Sequence, residues 1–422
     1  MKIHILTPAL ILVPAAPEDA NATIGLPVTR SSAAKPRIHG AKGAPGVPLL
    51  DLHRQYEQVR EPILAALARV CASQRFILGE EVEALESEVA AFTGACAAIG
   101  CASGTDALWL ALAAAGVQSG DAVITTPFSF FASASAIVRA GARPVFVDVD
   151  PSTLNLAPER VIDRLKQGGS YRVRAILPVH LYGQCAHADA FQSIADEFHL
   201  SIVEDAAQAL GAAWNHRRAG SLGVTAAFSF YPTKNLSAYG EAGIVTTRDA
   251  ALAARLRELR NHGSPRRYLH TEMGWNARMD ALQAAVLRVK LPYLEGWNRE
   301  RRERAETYDR LLAAAGLSSG PNSPLRPLAT SPQAHHVFHQ YVIRAARREE
   351  LRRFLTEREI GTEIYYPIPL HRQPVFAWLG YSEGDLPESE RAAQEVLALP
   401  MFPELTEDEQ KWVVESLAEF YS

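Results

Sequence analysis

Cysteine is scarce in this chain, which has four in 422 residues: Cys71, Cys96, Cys101 and Cys185. They form no CxxC pair and have no partners at metal-ligand spacing, so we expect free thiols and no bound metal ion. No apolar run reaches the roughly 20 residues that span a bilayer, which argues against a membrane protein. A large excess of one charge is also absent: the formal net charge is −4, and nucleic acid is therefore not an expected partner.

What the chain does contain suits a large cytoplasmic globular protein, with 48% hydrophobic and 21% charged residues. Its length exceeds one ordinary core and predicts two domains with an appendage. Residues 1–46 begin with a short apolar stretch and continue rich in Ala, Pro, Gly and Ser, which predicts a disordered or weakly signal-like extension. We assign residues 47–300 to a large domain and residues 301–422 to a smaller C-terminal α+β domain.

From residue 47 onward, helical and strand patterns alternate. The strand candidates are continuous apolar runs, which is typical of a parallel sheet covered on both faces by helices. The large domain is therefore predicted to be α/β. In the smaller domain we expect strands at Val342–Ile343 and Thr362–Tyr366. The predicted strands of the large domain are Ala97–Cys101, Ala122–Thr125, Pro144–Val149, Ala175–Val179, Ser201–Val203, Phe228–Tyr231 and Ile244–Thr247.

Polar residues follow several of these strands where each one ends. Ser103-Gly104-Thr105 follows the first strand, Asp205 closes the fifth, and Ser229 and Lys234 lie at the next. In open α/β sheets, ligands bind at the carboxyl edge. A lysine amine, a buried carboxylate and a phosphate-binding turn are what pyridoxal phosphate requires: an amine for the aldehyde, a partner for the ring nitrogen and donors for the phosphate.

Taken singly, each of these residues has an ordinary structural explanation. Gly104 and Thr105 could form a helix cap, and Asp205 could form a salt bridge. The same holds for the other candidates, which could be a helix-surface glutamine, a strand serine and a core aromatic: Gln208, Ser229 and Phe130. The order and spacing of the whole set favour the cofactor site.

At these residues the chain resembles the DegT/DnrJ/EryC1/StrS family of sugar aminotransferases, which are pyridoxal-phosphate enzymes of fold type I. The likeness runs from residue 47 nearly to the C-terminus. One departure is Ala242, in Gly240-Glu241-Ala242-Gly243, where the family usually has glycine. The matching motifs are Ser103–Leu108, Pro178–Gln184, Glu204–Ala209, Phe228–Leu236, Gly274–Met279 and Leu399–Phe402.

The resemblance implies a homodimeric aminotransferase of amino-sugar biosynthesis that uses glutamate and a nucleotide-linked keto-sugar, with the 3-keto position favoured over the 4-keto. It implies Lys234 as the Schiff-base lysine and Asp205 as the ring-nitrogen partner. Tyr366 and His371 are candidates to face the sugar, although a structural loop role for His371 is an open alternative. The remaining implied cofactor contacts are Gln208 at the ring oxygen, Gly104, Thr105 and Ser229 at the phosphate, Phe130 on the ring face and Asn276 reaching the phosphate of the neighbouring subunit.

Three other functions compete with this one. The family's sugar dehydratases carry histidine where this chain has Lys234, so dehydration is disfavoured. A catalytically inactive regulatory homologue should have lost Lys234 or Asp205, and both are present. A nicotinamide dehydrogenase would need a glycine-rich strand–helix turn, and no GxGxxG occurs. Bound yellow cofactor separates the first two from the last, and product analysis separates aminotransfer from dehydration.

Overall fold

The computed structural model describes residues 46–320 and 322–422, so the predicted extension lies outside the described residues except for Gly46. Each helix below is named by its place in the chain. The α-helices of the described residues are α1 (Leu52–Ser73), α2 (Glu80–Thr93), α3 (Gly104–Ala114), α4 (Ala132–Arg139), α5 (Pro158–Gln167), α6 (Ala188–Phe198), α7 (Ala250–Leu259), α8 (Ala281–Lys290), α9 (Leu294–Ala314), α10 (Arg348–Glu357), α11 (Pro387–Glu395) and α12 (Glu407–Tyr421).

The strands divide into one large sheet and two small ones. They are β1 (Ala97–Cys101), β2 (Asp121–Thr125), β3 (Arg143–Phe146), β4 (Arg172–Leu177), β5 (Ser201–Asp205), β6 (Ala213–Trp214), β7 (Arg217–Arg218), β8 (Thr225–Ser229), β9 (Gly243–Thr247), β10 (Leu325–Pro327), β11 (Ala334–His335), β12 (Tyr341–Ala345) and β13 (Val396–Leu399).

The large sheet has seven strands in the order β1-β9-β8-β5-β4-β2-β3. Pairing is parallel from β8 through β3, whereas β9 runs antiparallel to both β1 and β8. Because β9 lies between them, β1 points the same way as the parallel strands. Six carboxyl ends therefore meet at one edge, and the predicted residues Gly104, Asp205 and Ser229 lie at three of them.

Helices cover both faces of this sheet, as the continuous apolar strands predicted. Alternate residues of one strand belong to different apolar clusters because successive side chains point to opposite faces. In β2, for example, Val123 packs in a cluster with α3, α4 and α7, while Ile124 packs in a cluster with α5 and α6. The expectation of a mainly parallel sheet between two helical layers is confirmed.

The C-terminal part is built on the antiparallel sheet β10-β12-β13 with α10, α11 and α12. The predicted strand at Thr362–Tyr366 is wrong: only an isolated bridge between Glu363 and Ala398 forms there. Pro367 and Pro369 follow at once, and proline offers no backbone N–H for a ladder. The predicted domain boundary at residue 300 falls inside α9, and the division into two domains stays a prediction.

Two further properties bear on the kind of protein this is. In the part of the chain that the structure describes, no helix combines the length and apolar character that crossing a membrane requires. Within the same ranges, no three His, Cys, Asp or Glu side chains are grouped so that they could hold a metal ion.

Candidate active site

The turn after β1 and the end of β8 meet at the carboxyl edge of the sheet. A Cβ atom added to Gly104 would lie only 2.5 Å from Cβ of Ser229, so glycine is needed for this close approach. Ser103 begins α3 as its N-cap, accepting a hydrogen bond from Asp106 N–H at 3.1 Å, and Thr105 follows Gly104 in the first turn. The free N–H groups of a helix N-terminus attract anions, and a serine hydroxyl lies beside them.

Gly243, at the start of β9, closes the other side of this turn. A Cβ atom there would overlap the carbonyl oxygen of Ser103, so glycine is required at this position as well. Ala242, where the family usually has glycine, is fully buried in the apolar cluster formed by α2, α8 and the adjacent strands. The extra methyl group therefore packs in the core and does not enter the turn.

Asp205 ends β5 and is 4% exposed. Its Oδ2 accepts a hydrogen bond from Ser133 Oγ at 2.6 Å, and its Oδ1 accepts one from Ala207 N–H at 3.2 Å. Burial raises the pKa of this carboxyl, while these hydrogen bonds and the positive charge of Lys234 lower it. The carboxylate is thus buried but supplied with donors, and it still has lone pairs for a further partner.

Behind Asp205, a buried pair fixes the ends of β4 and β5. Ala186 N–H donates to His180 Nδ1 at 3.1 Å, so the proton of the neutral ring is on Nε2, which donates to Glu204 Oε2 at 3.0 Å. Glu204 also accepts backbone N–H groups from Gly220, Leu222 and Gly223 at 2.8–2.9 Å. All four of these hydrogen bonds hold Glu204 within the fold, so Asp205 is the carboxylate that can accept a ligand at this edge.

Lys234 lies on the turn that follows β8, and its neighbour Asn235 fixes that turn. Asn235 Nδ2 donates to Asn298 Oδ1 at 2.8 Å on α9, and its Oδ1 accepts from His339 Nδ1 at 2.9 Å. Lys234 N–H donates to Tyr231 O at 2.8 Å. The backbone that carries the lysine is therefore anchored to α9 and to the segment before β12.

Lys234 is half-buried as a whole residue, and the charge of its amine interacts with that of Asp205. Burial lowers the pKa of this amine to about 8, because desolvation outweighs the attraction of the Asp205 carboxylate. A lysine with this pKa supplies a neutral amine near neutral pH far more readily than an exposed lysine does. Such an amine can act as a nucleophile or accept a proton.

Gln208, Tyr366 and Phe130 form a connected group, and Tyr366 lies near the charge of Asp205. Gln208 Oε1 accepts from Tyr182 N–H at 2.7 Å, and its Nε2 lies 3.3 Å from Tyr366 Oη. The Tyr366 ring lies 6.4 Å from the Phe130 ring, whose side chain is 60% exposed. Burial and the nearby Asp205 charge raise the pKa of the Tyr366 phenol, so it stays protonated.

The two remaining predicted residues, Asn276 and His371, pair with other residues. Asn276 is exposed and forms an isolated bridge with Asn261. His371 is 2% exposed, and its Nε2 lies 2.9 Å from Glu390 Oε1 on α11. This placement favours the structural role that the sequence left open for His371.

Sequence reasoning missed three residues that support the site: Ser133, Glu204 and Asn235. Glu204 and Asn235 are sequence neighbours of the two central residues and lie inside the motifs, but their partners are 16 to 104 residues away along the chain. Ser133 lies on α4, 72 residues from Asp205, and nothing in its local pattern points to that contact.

A doubly covered, mainly parallel sheet with a lysine and a buried carboxylate at its carboxyl edge defines a pyridoxal-phosphate enzyme of fold type I. The DegT/DnrJ/EryC1/StrS aminotransferase family model matches residues 57–418. The chain belongs to this family, whose aminotransferases depend on pyridoxal phosphate.

Similar proteins carry names of more than one kind. A "Pleiotropic regulatory protein" of Geobacillus stearothermophilus is 51% identical over 89% of this chain and 98% of that protein. A dTDP-3-amino-3,4,6-trideoxy-alpha-D-glucose transaminase of Streptomyces venezuelae is 43% identical over 89% and 96%, and a UDP-N-acetyl-3-dehydro-alpha-D-glucosamine 3-aminotransferase of Acidithiobacillus ferrooxidans is 41% identical over 86% and 95%. Among solved structures, S. venezuelae DesV in complex with a ketimine intermediate superposes with a TM-score of 0.84 at 43% identity, covering 89% of this chain and 99% of that one.

Proposed function

We propose that this enzyme transfers an amino group from glutamate to a nucleotide-linked 3-keto-sugar, with Lys234 as the residue that links the cofactor. The observation that carries the proposal is the amine of Lys234, whose pKa burial lowers to about 8, near the buried Asp205 carboxylate. Both groups are costly to bury without a partner. A cofactor with an aldehyde and a protonated heteroaromatic ring would supply a partner for the amine and for the carboxylate.

The residues present fit pyridoxal phosphate. The turn at Ser103–Thr105 offers helix N-terminal N–H groups and leaves no room for a side chain at Gly104. Together with the Ser229 hydroxyl, this is a suitable place for a dianionic phosphate. Asp205 would accept the hydrogen bond of the protonated ring nitrogen, Gln208 would lie at the ring oxygen, and the exposed Phe130 ring would cover one face.

When bound, the cofactor supplies an electrophilic aldehyde and a ring that withdraws electrons from the carbon losing a proton. The chain's own part is positioning and proton transfer. Asp205, which is buried, would hold the positive charge of the ring nitrogen. Burial lowers the pKa of Lys234 to about 8, so its Nζ, when not linked to the cofactor, would be suited to accept a proton and to donate it again.

The substrate assignment is supported by the relatives. Two proteins at 41–43% identity are named as transaminases that act at the 3-position of a nucleotide-linked hexose, one with dTDP and one with UDP. We therefore assign a 3-keto-sugar and leave the nucleotide open. We propose that Tyr366, which lies next to Phe130 and Gln208, contacts the sugar and that glutamate is the amino donor.

We also propose that the enzyme is a cytoplasmic homodimer whose active site is shared between subunits. Two exposed side chains, Met273 and Trp275, come just before the exposed Asn276 in the sequence. A third, Ile77, forms a bridge with Asp280, four residues after Asn276. Apolar surface of this kind is typical of a subunit interface. Asn276 would reach the phosphate of the partner subunit across this interface.

The assignment of Lys234 is tested by replacing it. Wild-type protein should carry the visible absorption band of pyridoxal phosphate joined to a lysine, and Lys234→Ala should lose both the band and aminotransfer. Lys411→Ala, which removes an exposed lysine on α12, should keep both. A visible band retained in folded Lys234→Ala would refute the assignment.

A regulatory role without catalysis is the second candidate, because a protein 51% identical to this chain is named as a regulator. Mass spectrometry of products from a panel of nucleotide keto-sugars with glutamate separates the candidates. An amino-sugar supports the transaminase, a deoxygenated sugar supports a dehydratase, and no product from any keto-sugar despite bound cofactor supports the regulator.

A further inference from the structure

We propose that Ser133 is a positioning residue for the reaction: its hydroxyl, with that of Ser129 behind it, holds the Asp205 carboxylate in place as an acceptor for the ring nitrogen. The inference rests on the proposed function, because it requires a cofactor ring at Asp205. Neither serine belongs to the residues assigned above to the cofactor or the substrate.

The geometry is a short chain of three buried groups. Ser133 Oγ lies 2.6 Å from Asp205 Oδ2, and Ser129 Oγ lies 2.7 Å from Ser133 Oγ. An ionised carboxylate only accepts hydrogen bonds, so Ser133 donates its proton to Asp205. The Ser133 oxygen is then free to accept, and Ser129 donates to it. The chain therefore has one direction, from Ser129 through Ser133 to Asp205.

Both serines belong to the segment that carries Phe130, the residue assigned to the ring face. Ser129 precedes Phe130, and Ser133 N–H donates to Phe130 O at 3.2 Å in the first turn of α4. One short segment thus supports the carboxylate under the ring nitrogen and the aromatic side chain on the ring face. The hydrogen bond between Ser129 and Ser133 spans Phe130 in the sequence, so it supports the position of this side chain as well as that of Asp205.

The hydroxyl also affects the charge of Asp205. The charged or titratable groups that act on this carboxyl come from three elements: Lys234 after β8, His180 after β4 and the Tyr366 phenol from the C-terminal part. Burial raises the pKa of Asp205, and the Ser133 hydrogen bond is the largest influence that lowers it. Without that bond the carboxyl would protonate at a higher pH and could no longer hold a protonated ring nitrogen.

The test is Ser133→Ala in the cofactor-loaded enzyme, with Ser133→Thr as the conservative variant. We expect Ser133→Ala to lower kcat roughly 10- to 100-fold, as expected for a lost hydrogen bond to a charged group, with little change in KM. The acidic edge of the pH titration of the visible cofactor band should move to higher pH. Ser133→Thr keeps a hydroxyl and should restore both the rate and the spectral titration.

Ser416→Ala on α12 is the matched control, because it removes a buried hydroxyl that has no hydrogen-bond partner among the described residues. It should leave kcat and the spectral titration unchanged. If Ser133→Ala does not fold, Ser129→Ala decides, with a smaller shift expected in the same direction. A wild-type rate and titration in the folded serine variant would overturn the inference while leaving the cofactor assignment intact; a wild-type protein without a cofactor band would instead overturn the proposed function.

Discussion

At the scale of single residues, the site depends on two groups that the protein makes unfavourable in isolation. Burial lowers the pKa of Lys234 and raises that of Asp205, so each is driven toward its neutral form. Their mutual attraction opposes both shifts but does not cancel them. A cofactor ring linked to Lys234 and paired with Asp205, as proposed above, would relieve both costs, so cofactor binding should stabilise this fold.

Gly104 gives the residue-scale prediction. Gly104→Ala places a methyl group 2.5 Å from Ser229 Cβ, so β8 and the turn must separate. We expect a loss of about 1–3 kcal/mol in unfolding free energy, the usual cost of overpacking, and weaker binding of pyridoxal phosphate. Urea denaturation of the apoprotein and cofactor titration measure the two effects.

Gly296→Ala is the control for this substitution. Gly296 lies in α9 with no atom closer than 4.0 Å to an added Cβ. Alanine is the better helix former by up to about 1 kcal/mol, so this variant should be as stable as wild type or more so and should bind the cofactor normally. Equal cofactor affinity in Gly104→Ala and wild type would contradict the assignment of this turn to the phosphate.

At the scale of elements, the sequence predicted most strands of the large sheet, but it did not always predict where a strand begins or ends. Strand β1 begins at Ala97 and ends at Cys101, as the apolar run predicted, and β5 brings Asp205 to the sheet edge. The strand expected at Thr362–Tyr366 does not form, because the prolines that follow it offer no backbone N–H groups for a ladder. Ser133 could not be found at all, since its role depends on a contact made only when α4 packs against the end of β5.

Glu204 gives the prediction at this scale, because it ties β5 to the loop before β8. Each of its two oxygens accepts two hydrogen bonds, from Leu222 and Gly223 N–H and from Gly220 N–H and His180. Glu204→Gln puts an amide NH₂ against two of these donors whichever way it is oriented. We expect a loss of about 2–5 kcal/mol in unfolding free energy from two unsatisfied buried donors.

Thermal or urea denaturation checks this value, with Glu303→Gln as the matched control. Glu303 is an exposed residue on α9, 3.9 Å from Arg299, and surface pairs of this kind contribute little to stability. Its variant should unfold with wild type. A Glu204→Gln protein as stable as wild type would show that the loop is held by other contacts.

At the scale of the whole molecule, the sheet topology collects chemistry from distant parts of the sequence. Gly104, Asp205, Ser229 and Lys234 come together because β1, β5 and β8 end at the same edge, with the antiparallel β9 between two of them. The chain order of these residues was visible in the sequence, and their convergence followed from the parallel sheet. Asn276 is the exception, since it lies exposed and forms a bridge with Asn261.

A mixing experiment tests whether Asn276 serves the partner subunit. Lys234→Ala and Asn276→Ala should each be inactive or strongly impaired as homodimers. When they are mixed one to one and allowed to exchange subunits, half of the dimers are mixed. In each mixed dimer, one site combines the intact Lys234 of one subunit with the intact Asn276 of the other, so about a quarter of wild-type activity should return.

If Asn276 acted within its own subunit, each site of the mixed dimer would still carry one of the two defects, and activity would not rise above the mean of the separate variants. Mixing Lys234→Ala with Asp205→Ala is the control, because both residues lie in the same site of one chain and no activity should return.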